Sequence, residues 1–216
     1  MSAACLTEAA RLENALMLAS ALGLDAQDAD EALQFDVAVT VEQEDASAIA
    51  LAHEFIAIFR RTIRNVSLNT SYETAALEVV IGRAAPRSSL EKLFVALSAD
   101  EAVIGNEPSG TSCAALPGIF TVLVACYVSG AVLQKIFKDA FPYGGQFPIR
   151  IAFESLGIDQ ASLAKVLDLG TAYLAGAGAI GNGLRGSWRL RNRCGERQIT
   201  HGEVGSAGNL NRRVWV

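Results

Sequence analysis

Five apolar positions near the start of the chain, Leu12, Ala15, Leu16, Ala19 and Leu22, recur at helical spacing behind a capping Thr7 and ahead of Gly23. They predict an N-terminal helix packed through that stripe. Beyond the acidic turn at 25–31 the period shortens: residues 35–41, Phe-Asp-Val-Ala-Val-Thr-Val, alternate as a half-buried strand does. Asp45 then opens a helix with Leu51, Phe55, Ile58 and Phe59 on its buried side. Residues 64–69 and 76–82 predict two further strands, 87–99 a helix and 101–105 another strand, with a loop at 106–112. A long apolar helix from about residue 114 to 138 ends at 141–147, where Pro142 and the pair Gly144-Gly145 prevent its continuation. After a bridging segment at 147–171 come a short apolar run, a glycine turn, a helix from Gly181 to Arg193 stopped by Cys194-Gly195, and a strand from residue 197.

Strands alternating with helices predict an α/β fold, here a Rossmann-like three-layer arrangement. The chain divides into a helical segment at 1–34, an α/β unit at 35–165 that lacks a glycine-rich phosphate loop, and the beginning of a second, nucleotide-binding unit at 166–216.

Composition supports a buried core, with 51% of the 216 residues apolar. Charge is distributed unevenly. Residues 1–59 carry 11 acids against the single base Arg11, whereas 183–216 carry seven arginines against Glu196 and Glu203, so the basic end is where an anionic partner is expected. The arginines at 185, 189, 191, 193 and 197 interleave with Leu184 and Trp188 as on a solvated helix face, or one docking an acidic protein, rather than a nucleic-acid surface. Cys5, Cys113, Cys126 and Cys194 are scattered, and His53 and His201 are the only histidines, a pattern of free thiols rather than a zinc site or disulfide framework. His53, beside Phe55, reads as a structural histidine. The N-terminus has acids where a signal peptide needs a basic start, which predicts a cytoplasmic protein. Residues 116–133 approach the length of a membrane span, but their Thr, Ser, Gly and Ala content, and lysines only after them, predict a core helix and no membrane.

Gly176, Gly178 and Gly181 stand in G-x-G-x-x-G spacing. The first glycine permits a tight turn, the second lets backbone approach a phosphate, and the third lets the following helix pack on the strand. Free N–H groups at that helix start then hold the phosphate. A dinucleotide fold wants an acid about 20 residues on, to accept from ribose hydroxyls. His201 occupies that place, and Glu203 lies two positions further on the same strand face.

The turn that follows, Gly-Ser-Ala-Gly-Asn-Leu-Asn-Arg-Arg at 205–213, is specific. With the glycine loop it resembles the adenylation domain of the ThiF-like, ubiquitin-activating enzyme superfamily, over about a fifth of the chain at 175–216. The resemblance implies that Gly176, Gly178 and Gly181 form the ATP phosphate loop, that Asn209 and Arg212 hold the nucleotide phosphates, and that Glu203 matches the second acid of the family's D-x-D pair. Arg212 is the implied catalytic residue, offsetting charge as a carboxylate attacks the α-phosphate. His201 replaces the first acid of the pair, Ala207 the usual serine and Arg213 the usual glutamine. An imidazole lacks the bidentate acceptor geometry of a carboxylate, so nucleotide affinity is expected to drop.

What the resemblance implies is the N-terminal part of an enzyme that uses ATP and Mg to adenylate the C-terminal carboxylate of a ubiquitin-like or sulfur-carrier protein. Residues 35–165 would be its inactive-type half, and homo- or hetero-oligomers are implied as well. The family's magnesium-binding aspartate, paired cysteines and later lysine have no counterpart in these 216 residues, so this chain alone is not expected to catalyse the reaction. Two alternatives stay open: a non-catalytic interaction module of the same superfamily, and an NAD-dependent dehydrogenase, which the glycine spacing alone supports.

Overall fold

A computed structural model describes residues 8–157, except 64, 110–115, 117 and 139–145, together with the backbone of short strands at 167–168, 172–175, 193–194 and 197–200. The chain opens with a helical hairpin, α1 (Glu8–Leu22) and α2 (Ala26–Ala32). Then come β1 (Asp36–Thr40), α3 (Ala46–Phe59), β2 (Asn65–Leu68), β3 (Leu77–Ile81), β4 (Glu91–Leu97), β5 (Glu101–Gly105), α4 (Gly118–Ile136) and β6 (Ile149–Ala152). The six strands form one sheet in the order β2-β1-β3-β4-β5-β6, in which β2, β1, β3 and β4 are parallel and β5 runs antiparallel to both its neighbours. This is a mixed α/β, Rossmann-like fold.

Alternation along the strands decides the layers. Val37 and Val39 of β1, Leu77, Val79 and Ile81 of β3, and Leu93, Val95 and Leu97 of β4 share one face with Ala102 and Ile104 of β5. Against that face pack Leu51, Phe55 and Phe59 of α3, and Phe120, Val124, Val128 and Val132 of α4. At roughly 1.5–3 kcal/mol for each large apolar side chain taken out of water, this layer supplies most of the driving force for folding. By length and composition α4 could cross a bilayer. Here it is the central helix of the core, and Phe120 stacks on Phe153 with ring centroids 4.5 Å apart.

Three readings of the sequence need correction. First, α1 is turned about its axis relative to the expected stripe: Ala10, Ala15 and Ala19 are buried, while Leu12, Leu16 and Met17 are 55%, 51% and 61% exposed. Ala15 and Ala19 meet Ala29 of α2, and short side chains let the two helices approach closely where leucines could not. Asn14 fixes the orientation by donating from Nδ2 to the Arg61 carbonyl at 2.6 Å, and Arg11 pairs with Asp30 at 3.3 Å. Second, the helix predicted at 87–99 is the strand β4. Its Leu90, Leu93, Phe94 and Leu97 fall at helical spacing, but Leu93, Val95 and Leu97 also alternate, and the gap between β3 and β5 accepts only the extended form. Third, the bridging segment contributes β6, which closes the sheet beside β5.

In the closing region, β7 (Leu167–Asp168) pairs in parallel with β9 (Arg193–Cys194), and β8 (Ala172–Ala175) with β10 (Arg197–Thr200). The strands at 172–175 and from 197 are where the sequence predicts them. Arg193, expected as the last helical residue, belongs instead to β9, so any helix after the glycine turn ends before it.

Candidate functional site

Two carboxyl edges of parallel strands bear on function, because α/β sheets bind ligands beyond those ends, at the point where the chain reverses its direction across the sheet. In the large sheet that point lies between β1 and β3, since β2 lies on one side of β1 and β3 on the other. A phosphate there would sit on the N-terminal N–H groups of α3. That place is already filled: Asp45 caps α3, its Oδ1 accepting from the Ala48 N–H at 2.9 Å. Exposed Glu42 and Glu44 precede it. A carboxylate in the phosphate position, with two more beside it in the chain, makes this edge repel anions.

Behind that edge lies a charge which the sequence reading missed. Glu78, in the middle of β3, has no exposed surface. Its Oε1 accepts from Thr40 Oγ1 at 2.6 Å and from the Arg87 N–H at 2.8 Å. Oε2 accepts from the Ser88 N–H at 3.1 Å and from Ser88 Oγ at 2.5 Å. Thr40 has one hydroxyl proton and gives it to Glu78, so Tyr72, 3.0 Å away, is the donor in the next link. Burial pushes the Glu78 carboxyl up, but the hydrogen bonds from Ser88, Thr40 and the two backbone N–H groups outweigh it and hold the group below its usual range. The signal was present: one acid inside the apolar run Leu-Glu-Val-Val-Ile at 77–81.

Glu78 explains an unusual connection. Parallel neighbours normally need a crossover of a dozen or more residues, often helical. β3 and β4 are parallel neighbours joined by residues 82–90 alone. This strap turns at Gly82, whose φ of +75° suits glycine, and returns along the sheet, where Glu78 holds it by Arg87 and Ser88. Lys92 steadies its far end by donating from Nζ to the Leu90 carbonyl at 2.7 Å.

The second edge belongs to β8 and β10. Ala172 pairs with Arg197 and Ala175 with Thr200, so both strands finish at the same edge. The next residues in sequence are Gly176 after one strand and His201 after the other. Gly176, Gly178, Gly181, Glu203, Asn209 and Arg212 themselves lie outside the described residues, as do the arginines at 185, 189 and 191.

On the helical layer, His53 is exposed and Glu54 beside it is half-buried. Burial raises the Glu54 carboxyl above its usual value, and the neighbouring His53 draws it back only in part. Cys126 of α4 is a free, exposed thiol; burial first, and then the Glu54 charge, push it up, away from a reactive thiolate. Cys5 and Cys113 are outside the described residues, and the side chain of Cys194 is not described. Among the described residues no group of three or more His, Cys, Asp or Glu side chains could hold a metal ion.

No curated protein matches the sequence. A solved structure titled "Heterocyclase in complex with substrate and Cofactor" aligns with 66% of this chain at 16% identity and a TM-score of 0.41, and the chain spans 26% of that protein's length. The sequence model of the E1 N-terminal domain matches residues 7–159, which covers the helical hairpin, all six strands of the large sheet and both long helices. A match across this whole unit, and not at one motif, places the chain in the E1 N-terminal domain family.

Proposed function

We propose that the chain is the N-terminal part of an ATP-dependent activating enzyme of the E1-like class, with residues 35–165 as a half that binds no nucleotide and 166–216 as the opening of the half that does. The observation that carries this reading is the parallel pairing of β8 with β10 around the glycine turn. A strand, a glycine-rich turn and a parallel return strand are the parts from which a phosphate site is built. The donor set is that of an anion site: backbone N–H groups at Gly176, Gly178 and Gly181, the Asn209 amide and the Arg212 guanidinium. Such a set fits a triphosphate. It offers Mg only Glu203, so the metal is carried with the nucleotide rather than by a protein cage.

The reaction is attack of a carrier protein's C-terminal carboxylate on the α-phosphate of ATP, forming an acyl-adenylate and releasing pyrophosphate. Arg212 offsets the charge that builds on the phosphate oxygens. The partner is a ubiquitin-like or sulfur-carrier protein. Calorimetry tests the nucleotide assignment: the chain is expected to bind ATP weakly, because His201 stands in the ribose position, and Arg212→Ala to weaken that binding by roughly 10- to 100-fold. Equal affinity in the variant would remove Arg212 from the site, and heat with NAD(H) but not with ATP would favour a dehydrogenase.

A second reading, a non-catalytic interaction module, draws on Asp45 in the phosphate position of α3 and on His201. It predicts no heat with either nucleotide.

A further inference from the structure

The Glu78 cluster has the construction of a ligand site. Four donors from two separate segments converge on one planar carboxylate: Thr40 Oγ from β1, and the Arg87 N–H, Ser88 N–H and Ser88 Oγ from the strap. Two go to each oxygen, at 2.5 to 3.1 Å. Thr40, like Glu78, has no exposed surface. The strap's donors are held from outside the carboxylate as well. Ser88 Oγ accepts from the Leu90 N–H at 3.3 Å, Lys92 ties down the Leu90 carbonyl, and Tyr72 orients Thr40. Donors with their own supports keep their aim when the acceptor is removed.

We infer that Thr40, Arg87 and Ser88 form an oxyanion cradle that binds small carboxylates, and that Glu78 is its built-in occupant. Truncating Glu78 to alanine removes Cγ, Cδ and the two carboxylate oxygens, the four heavy atoms of acetate. The vacated space is therefore acetate-shaped, lined by unsatisfied donors whose desolvation is the penalty of leaving it empty. Occupancy also governs the carboxyl edge of β3, because the strap that the cradle holds begins there, at Gly82.

The test is thermal unfolding of the full chain, wild type and Glu78→Ala, at pH 7 with acetate exchanged for chloride at constant ionic strength. Glu78→Ala is expected to lose stability in chloride and to recover it saturably in acetate, by a Tm rise of about 3–6 °C at ten times the dissociation constant. The wild type, whose cradle is full, gains nothing. Acetamide, neutral and of the same size, fails to rescue, and formate rescues less. In Glu78→Gly, where Cβ is also gone, the best ligand moves from acetate to propionate. An acetate response no larger in Glu78→Ala than in wild type overturns the cradle, and so does rescue that ignores ligand size. If Glu78→Ala does not fold in chloride, recovery of its far-UV circular dichroism in acetate supports the cradle, and failure to recover overturns it.

Discussion

Glu78 couples the fold to pH. Its carboxyl titrates below the ordinary 4.5 because the gain from four donors exceeds the cost of burial. A depressed folded pKa contributes stability that is complete above the unfolded value and is lost as pH falls through the folded one. The groups around Glu78 that carry charge or titrate are Tyr72 through Thr40, Arg87, whose backbone N–H donates, and Lys92, its register partner on β4. Phenol, guanidinium and ammonium do not change charge in the acid range, which leaves the carboxyl as the titrating member of the cluster. Glu78→Gln is expected to lower stability at pH 7 by about 1–3 kcal/mol, since an amide cannot accept at both ends. Urea unfolding from pH 7 to pH 3 checks the linkage: the difference between wild type and variant should shrink as the pH falls, and a constant difference would contradict it.

At the scale of elements, α1 shows most clearly what packing adds to pattern. Its inward positions are alanines and its outward ones include Leu12, Leu16 and Met17. Leu16→Gln should therefore change stability by no more than about 0.5 kcal/mol, and Ala15→Leu, which forces extra volume between α1 and α2, should cost about 1–3 kcal/mol. Denaturant midpoints for the two variants check the assignment, and the reverse order would restore the leucine stripe as the packing face. The strands β1, β2, β3 and β5, and the helices α3 and α4, were legible because one period dominates each segment and a cap or breaker bounds it, as Asp45 does for α3. The strand β4 was not, because Leu93 and Leu97 satisfy a helical and an extended pattern equally, and only its neighbours in the sheet decide. The inward turn of α1 depends on Ala29 and Arg61, 14 and 47 residues from the positions they hold, which no local window contains. The nucleotide positions were read from spacing alone; of that site, the described structure bears on the two strands that frame it.

Over the whole molecule, two units of related design differ in what stands at their carboxyl edges. In the first, Asp45 and its acidic neighbours occupy the place of a phosphate. In the second, a glycine turn begins directly after β8. The division of charge between residues 1–59 and 183–216 follows the same line, acids with the first unit and arginines with the second. The strap between β3 and β4 extends this contrast to proteolysis. Arg83 and Arg87 both expose their side chains to trypsin. A protease must draw the chain into its cleft around the bond it cuts, and exposed loop tips yield most readily. The bond after Arg87 includes the Ser88 N–H, which Glu78 holds, whereas Arg83 precedes Ala84, Ala85 and Pro86 at the strap's open end. Within residues 82–90, brief digestion of the intact chain should cut after Arg83 and spare the bond after Arg87, and mass spectrometry of the fragments would show the buried carboxylate protecting one arginine of the pair and leaving the other.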